Sequence, residues 1–146
     1  MNKFLYLITN KKNKITMSHF DKVKDYLSEL EYSIIHEDKE NEVFVVESLD
    51  DGISNLMIGV ADPIIIIEQY LFDLKTNVGD VSHKLLMKNR DIVAGAFVMD
   101  DDGTKVLFRD TLQVETLDLE ELEGSLTSLS LLLSEYTDEI ISYSKN

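Results

Sequence analysis

The C-terminal stretch constrains this chain most. Leu119, Leu122, Leu126, Leu129, Leu133, Tyr136 and Ile140 recur at alternating spacings of three and four, the pattern of a helix with one apolar seam. A single helix over residues 118–143 would run roughly 39 Å at 1.5 Å per residue. That is more than twice the radius of gyration of about 15 Å expected for a domain of this size. Leu131, Leu132 and Ile141 lie beside the seam and widen it. A stripe this broad covers a sheet of its own domain, and the end near Tyr136 and Ile140 is the part that would overhang. Asp118 with Glu121 opens the helix as a capping pair. Gly124 weakens it by about 1 kcal/mol relative to alanine, which points to close packing at that position.

Such a helix needs a sheet to lie on, and the middle of the chain supplies the strands. Ser18 with Asp21 begins a first helix whose Phe20, Val23, Leu27 and Leu30 share one face. Runs rich in β-branched and aromatic residues follow at 32–36 and 42–47, separated by the polar turn 37–41. Asp50-Asp51-Gly52 turns the chain into residues 55–61. Pro63 interrupts the ladder, having no N–H to donate, and Ile64-Ile65-Ile66-Ile67 resumes it through Tyr70 and Phe72. Four isoleucines in a row predict a strand covered on both faces. Asn77 with Asp80 opens a second helix, with Val81, Leu85 and Leu86 inward and Lys84, Lys88 and Arg90 towards its C-terminus. Residues 92–99 and 105–114 then form a hairpin around Asp100-Asp101-Asp102-Gly103. Val106, Phe108, Leu112 and Val114 share one face of the return strand, interrupted by Asp110. Ala94, Gly95 and Ala96 are small enough to admit another backbone.

The order is α, three or four strands, α, two strands, α. Grouping of this kind, with short turns, predicts an α+β domain built on an antiparallel sheet. With 146 residues the chain makes one domain, placed at 17–146. Residues 1–16 precede it as an extension or an extra edge strand. Their apolar run Phe4-Leu5-Tyr6-Leu7-Ile8 falls short of a signal-peptide core of roughly 7–15 residues. Lys11, Lys12 and Lys14 stand where a cleavage site would be. No stretch is long enough to span a bilayer.

The chemistry-bearing residues do not assemble into a site. The chain has no cysteine, which excludes disulfides and thiolate ligands and suits a reducing cytoplasm. His19, His36 and His83 are dispersed, none at metal-ligand spacing from another. Aligning Gly103 with the glycine of an EF-hand loop puts Val98 and Arg109 where acidic ligands belong, so the acidic run is a hairpin tip. Asp50-Asp51-Gly52 fails in the same way. There is no glycine-rich phosphate loop. Ser125, Ser128, Ser130 and Ser134 lie along one helix without a base beside them, and Arg109 next to Asp110 reads as a structural ion pair or an edge-strand charge. A net charge of −14 repels nucleic acid and anionic membranes and favours a basic or extended partner.

Against that order of elements, four segments carry a family resemblance. They are Asn89-Arg90-Asp91, Gly95-Ala96-Phe97, Phe108-Arg109-Asp110-Thr111-Leu112 and Leu117-Asp118-Leu119-Glu120-Glu121-Leu122. Over residues 89–143 the chain resembles the YbjN-like family, related in fold to the type III secretion chaperones of the Tir-chaperone type. The resemblance implies an α-β-β-β-α-β-β-α domain, a homodimer, no cofactor, no metal and no enzymatic activity. It implies a bacterial, cytoplasmic protein that holds an extended segment of another protein. Carried to this chain by position in the fold, the partner patch would include Phe20, Val23, Leu27 and Leu30. The extra strand around residues 64–72 and the N-terminal extension depart from the minimal pattern. The alternative function is a regulatory adaptor in signalling or stress response that binds a folded partner. No catalytic, cofactor-binding or metal-binding residue is assigned.

Overall fold

A computed structural model describes residues 17–145, so the apolar run at residues 4–8 lies outside the described part. Helix α1 (His19–Glu29) precedes four strands: β1 (Ser33–Asp38), β2 (Val43–Ser48), β3 (Ile53–Ala61) and β4 (Ile64–Asp73). A 3-10 turn, Leu49–Asp51, joins β2 to β3. Helix α2 (Val78–Asn89) leads to β5 (Ala96–Met99) and β6 (Lys105–Gln113), and α3 (Leu119–Glu135) and α4 (Thr137–Ser144) close the chain. All strands pair antiparallel in one six-stranded sheet of order β1-β2-β3-β4-β6-β5. This is the α+β class expected, with four strands in the first group.

Side chains alternate across a strand, and here the alternation separates two unlike faces. On the inner face Phe44, Val46, Leu56, Ile58, Ile65, Ile67, Val106 and Phe108 are fully buried. The helices meet that face through their own apolar stripes. Phe20 of α1 stacks on Phe44 with ring centroids 4.2 Å apart, and Leu122, Leu126, Leu129 and Leu132 of α3 are buried with them. Each such side chain is worth about 1.5–3 kcal/mol when fully removed from water.

The four isoleucines are a correction. Ile65 and Ile67 are buried while Ile64 and Ile66 are only half-buried, because every described helix packs on the same face. Pro63 sits in the tight turn between Ala61 and Ile64, where no ladder N–H is required. Asn77 differs from the expected cap as well. Its φ of 54° is left-handed and its side chain caps nothing, although its carbonyl still accepts from Val81 N–H. Asn is among the few residues that tolerate this conformation. Leu86 is 70% exposed, since α2 lies over the short edge strand β5 and meets it with the single column of Val81 and Leu85.

The long C-terminal helix is also corrected, for it is two helices. Tyr136 breaks it with φ −109° and ψ 16°, and the Thr137 hydroxyl turns back to the Leu133 carbonyl. Helix α3 has 17 residues, or about 25 Å. Beyond the break, α4 carries the Tyr143 ring to within 6.2 Å of the Phe72 ring, centroid to centroid. Tyr136 itself packs 6.0 Å from Phe97, so the end of the seam belongs to the core and does not overhang. Leu131 and Ile141 face solvent, 56% and 48% exposed.

Two glycines foreseen as sites of close packing behave oppositely. At Gly95, with φ +75°, a Cβ would stand 2.4 Å from Phe108 Cζ. The neighbouring Ala94 is latched to α3: Ser128 Oγ donates to its carbonyl at 2.6 Å and accepts its N–H at 3.0 Å. Around Gly124 nothing lies within 4 Å, so no close approach explains that residue. Gly95→Ala is therefore expected to lower the unfolding free energy by at least about 2 kcal/mol through strain and overpacking. Gly124→Ala is expected to raise it by up to about 1 kcal/mol. Urea denaturation of the two variants checks both signs.

Candidate partner-binding surface

Helix α1 forms because Ser18 caps it, its hydroxyl accepting from Asp21 N–H at 3.1 Å, and because its apolar residues recur every three or four positions. That stripe is consumed by the chain's own core. Phe20, Val23 and Leu27 are 2%, 0% and 0% exposed, and Leu30, at the C-cap, is half-buried against the same core. The four residues are brought together, but facing the sheet instead of solvent. In the described fold all four side chains pack into the chain's own core.

The accessible apolar surface lies on the other side of the sheet. Across the central strands, cross-strand neighbours on this outer face are Val43 and Gly59, Gly59 and Ile66, Val45 and Met57, Ala61 and Ile64, and Tyr70 and Leu107. None of these is buried; Met57 is 41% and Tyr70 51% exposed. Near the middle, Glu68 and Arg109 are directly opposite and form an ion pair. Arg109 thus pairs with Glu68 on the outer face, while Asp110 turns to the inner face, with its Oδ2 buried and without a hydrogen bond. Strand β6 lies between β4 and β5, not at an edge.

Two clusters bound the outer face. At one end Tyr70 donates to Asp73 at 2.9 Å and Lys105 reaches the same carboxylate at 3.3 Å. These contacts hold Asp73 below the usual carboxylate range and raise Lys105. At the opposite end lie Asp38, Glu40, Glu42 and Asp62, from the β1–β2 and β3–β4 turns, together with Lys39. The Val60 N–H of β3 donates to the Glu42 carbonyl at 2.9 Å, which ties the β1–β2 turn to the end of β3. Asp38 accepts from Asn41 through both its backbone and its side chain, which lowers its pKa.

The two sheet edges differ. At β5 the Asn89 carboxamide bonds like a neighbouring strand. Its Oδ1 accepts from Phe97 N–H at 2.8 Å and its Nδ2 donates to Phe97 O at 3.1 Å. A residue of α2 therefore occupies the ladder groups that an added strand would need. At β1 the ladder is bulged between Ile34 and His36, and Ile35 is 52% exposed. Sequence pattern did not identify either feature as functional; Asn89 stood only as part of a motif.

Other candidate chemistry is used structurally. The Asp100 carboxylate accepts from Thr104 and Lys105 N–H at 2.9 and 3.0 Å, which lowers its pKa and shapes the hairpin tip. Ser130 donates to the Asp51 carbonyl, and Ser125 is buried with its hydroxyl unpartnered. Burial, with Asp51 and Glu123 nearby, pushes Tyr32 up to about 12. Among the described residues no three His, Asp or Glu side chains cluster to hold a metal ion. A cleft of about 460 Å³ lies between the Asp50–Gly52 turn and Ser130, Leu133 and Thr137; another of about 540 Å³ lies beside residues 70–76. No histidine lines either. No described helix is long and apolar enough to cross a membrane.

Comparison with known proteins places the fold. The sequence model of the CesT_Tir_1 family matches residues 16–146. No curated protein matches the sequence significantly. Among solved structures, the chain is similar to YbjN from E. coli with a TM-score of 0.64 at 16% identity, covering 85% of this chain and 96% of that one. It is similar to the Yersinia pestis type III secretion chaperone SycH, solved with a stable fragment of YscM2, at TM-score 0.56 and 16% identity over 87% and 100% of the chains. The HopA1-SchA chaperone-effector complex gives TM-score 0.57 at 12% identity over 90% and 99%. At these identities the likeness is one of fold.

If Asn89 closes the β5 edge, Asn89→Ala should free the Phe97 ladder groups and cost about 1–3 kcal/mol for the buried partners it leaves unpaired. Hydrogen exchange at the Phe97 amide should accelerate by far more than exchange at Phe108. Unchanged protection of Phe97 would show that the edge is held by something else.

Proposed function

The chain belongs to the CesT_Tir_1 family, and from that premise we propose that it is a non-enzymatic protein-binding module that holds an extended segment of a partner protein. We place it in the bacterial cytoplasm as a homodimer. The observation that carries this reading is the uncovered outer face of the sheet. Val43, Val45, Met57, Ile64 and Ile66 form an aliphatic floor, crossed by one ion pair and covered by no described helix. An extended segment matches such a floor because its side chains alternate, one set packing down while the other stays in water. Two of the similar structures are named as chaperones solved with partner polypeptides, which supports the same mode here. The net charge of −14 would accelerate encounter with a basic segment. A contact through Phe20, Val23 and Leu27 would first require α1 to lift from the sheet.

A regulatory adaptor that binds a folded partner is the second reading. The similar YbjN structure supports it, being named for a candidate transcription regulator. The same outer face would serve, but a short peptide from the partner would not suffice. Placing a photo-crosslinking residue at Met57, with a control at the exposed Glu123 on α3, separates the readings. In cytoplasmic extract of the native host, the segment-holding reading predicts adducts at Met57 and not at Glu123. The crosslinked peptides should map to one short stretch, and a synthetic peptide of that stretch should bind. Adducts at Glu123 alone would overturn the outer face as the binding surface, and loss of binding by every isolated peptide would favour the adaptor.

A further inference from the structure

In a chain with a net charge of −14, a cation is rarely far from a carboxylate. Lys24, Lys84, Lys88, Lys105 and Arg109 are each held in an ion pair. Among the described residues Lys75 and Lys145 are in none, yet both line one cleft, of about 540 Å³. Lys75 follows the end of β4 and Lys145 is the C-cap of α4, so two elements distant in sequence bring these side chains to the same place. Asp73 is the one carboxylate in the lining, and it is already engaged by Tyr70 and Lys105. Thr76 adds a hydroxyl to the lining. Two ammonium groups at one cleft without a counter-ion repel each other, and an anion placed between them would be attracted by both.

The cleft is continuous with the outer face of the sheet. Tyr70 belongs to both: it lies opposite Leu107 on that face, 51% exposed, and it lines the cleft. Lys105 Nζ stands 5.9 Å from the centroid of its ring. The outward row of β4 therefore runs from Ile64 and Ile66 past Glu68 to Tyr70 and ends at the lysines. From Ile66 to Tyr70 it spans about 13 Å at the usual rise per residue. Its other end has the opposite sign. There Glu40, Glu42 and Asp62 are accessible, and among the described residues no ion pair engages them. The β5–β6 tip, with Asp100, Asp101 and Asp102, also lies at the lysine end. The strand order puts that tip beyond β6 from β4, and the Asp100 carboxylate is taken up by Thr104 and Lys105 N–H.

We propose that the cleft lined by Lys75 and Lys145 receives a carboxylate side chain of the partner segment, about four to six residues beyond the apolar residues that the segment lays on Met57 and Ile66. The partner is then an extended segment with unequal ends: basic beside Glu42 and Asp62, apolar in the middle and acidic at the lysines. Such a segment is fixed in one direction, because turning it round sets like charges together at both ends. The net charge of the chain acts differently, favouring a segment that is basic throughout, so the two requirements are separable. This deepens the segment-holding reading of the outer face and rests on it.

Two synthetic peptides make the separation. Both begin Lys-Lys and continue Val-Thr-Val-Thr-Val-Thr; one ends in Glu-Glu and the other in Lys-Lys. In chemical-shift titrations of the whole chain at low salt, the peptide with unequal ends should bind about three- to tenfold more tightly, the effect of two exposed charge pairs. A nitroxide on its glutamate end should broaden the amide signals of Tyr70 and Lys75 far more than those of Glu42 and Asp62. Lys75→Glu combined with Lys145→Glu should reverse the order of the two peptides. Both side chains are exposed and in no ion pair, so the variant should melt as the parent does. Equal affinities, tighter binding of the all-lysine peptide, or an unreversed order in the variant overturns the inference and leaves the outer face standing as a binding surface. An absence of shifts at Met57 and Ile66 with either peptide overturns the segment-holding reading and the inference together.

Discussion

Every described helix packs against the same face of one sheet, and most of what distinguishes this molecule follows from that one-sidedness. The inner face is closed by α1, α3 and α4, which bury Phe44, Ile65, Ile67, Phe72 and Phe108. The outer face inherits whatever the alternate positions carry. In β4 those positions are Ile64, Ile66, Glu68 and Tyr70, a row that is neither wet enough for an ordinary surface nor covered enough for a core. A face with that composition is stable in water only because neighbouring side chains half-shield one another, and it gains from any apolar segment laid across it.

The devices that hold this asymmetry are local and specific. Gly95 lets the chain pass against the Phe108 ring, and Ser128 ties Ala94 to α3, so β5 is fixed at the sheet margin. Asn89 then satisfies the outward N–H and C=O of Phe97. An unpaired edge invites other strands; here one edge is closed by a side-chain amide while the broad face stays open. The ladder groups of Phe97 that an added strand would need are thereby occupied. The Glu68–Arg109 pair crosses that face and sets a polar mark within an aliphatic floor, a feature that would orient a bound segment more than it would strengthen its binding.

Much of the fold was legible because its signals are local. The Ser18 and Asp118 caps, the Asp-Gly hairpin tip and the apolar spacing of α1 and α3 each depend on a few neighbouring residues, and each stands where the pattern placed it. The expectations that failed needed tertiary information. Four consecutive isoleucines cannot tell whether one or two layers will cover them. The heptad seam continues through Tyr136 with unbroken spacing, yet the helix breaks there because Tyr136 is drawn to Phe97 and Tyr143 to Phe72. The stripe of Phe20, Val23 and Leu27 has the same spacing whether it faces a partner or a sheet, so its burial against the sheet needed tertiary information to be seen. The outer face was illegible for a related reason: its residues are contributed by separate strands, and only register makes them neighbours.

Adjacent isoleucines on β4 separate the inner face, which the fold's own helices cover, from the outer face, which we propose as the partner's. Ile65→Asp should abolish cooperative thermal unfolding, because it places an unpaired carboxylate in the core. Ile66→Asp should leave an intact, cooperatively unfolding domain that no longer binds the partner peptide. The measurement is partner affinity of Ile66→Asp by titration calorimetry, with the melting curve recorded on the same sample. A folded Ile66→Asp variant that retained full affinity would contradict the assignment of the outer face.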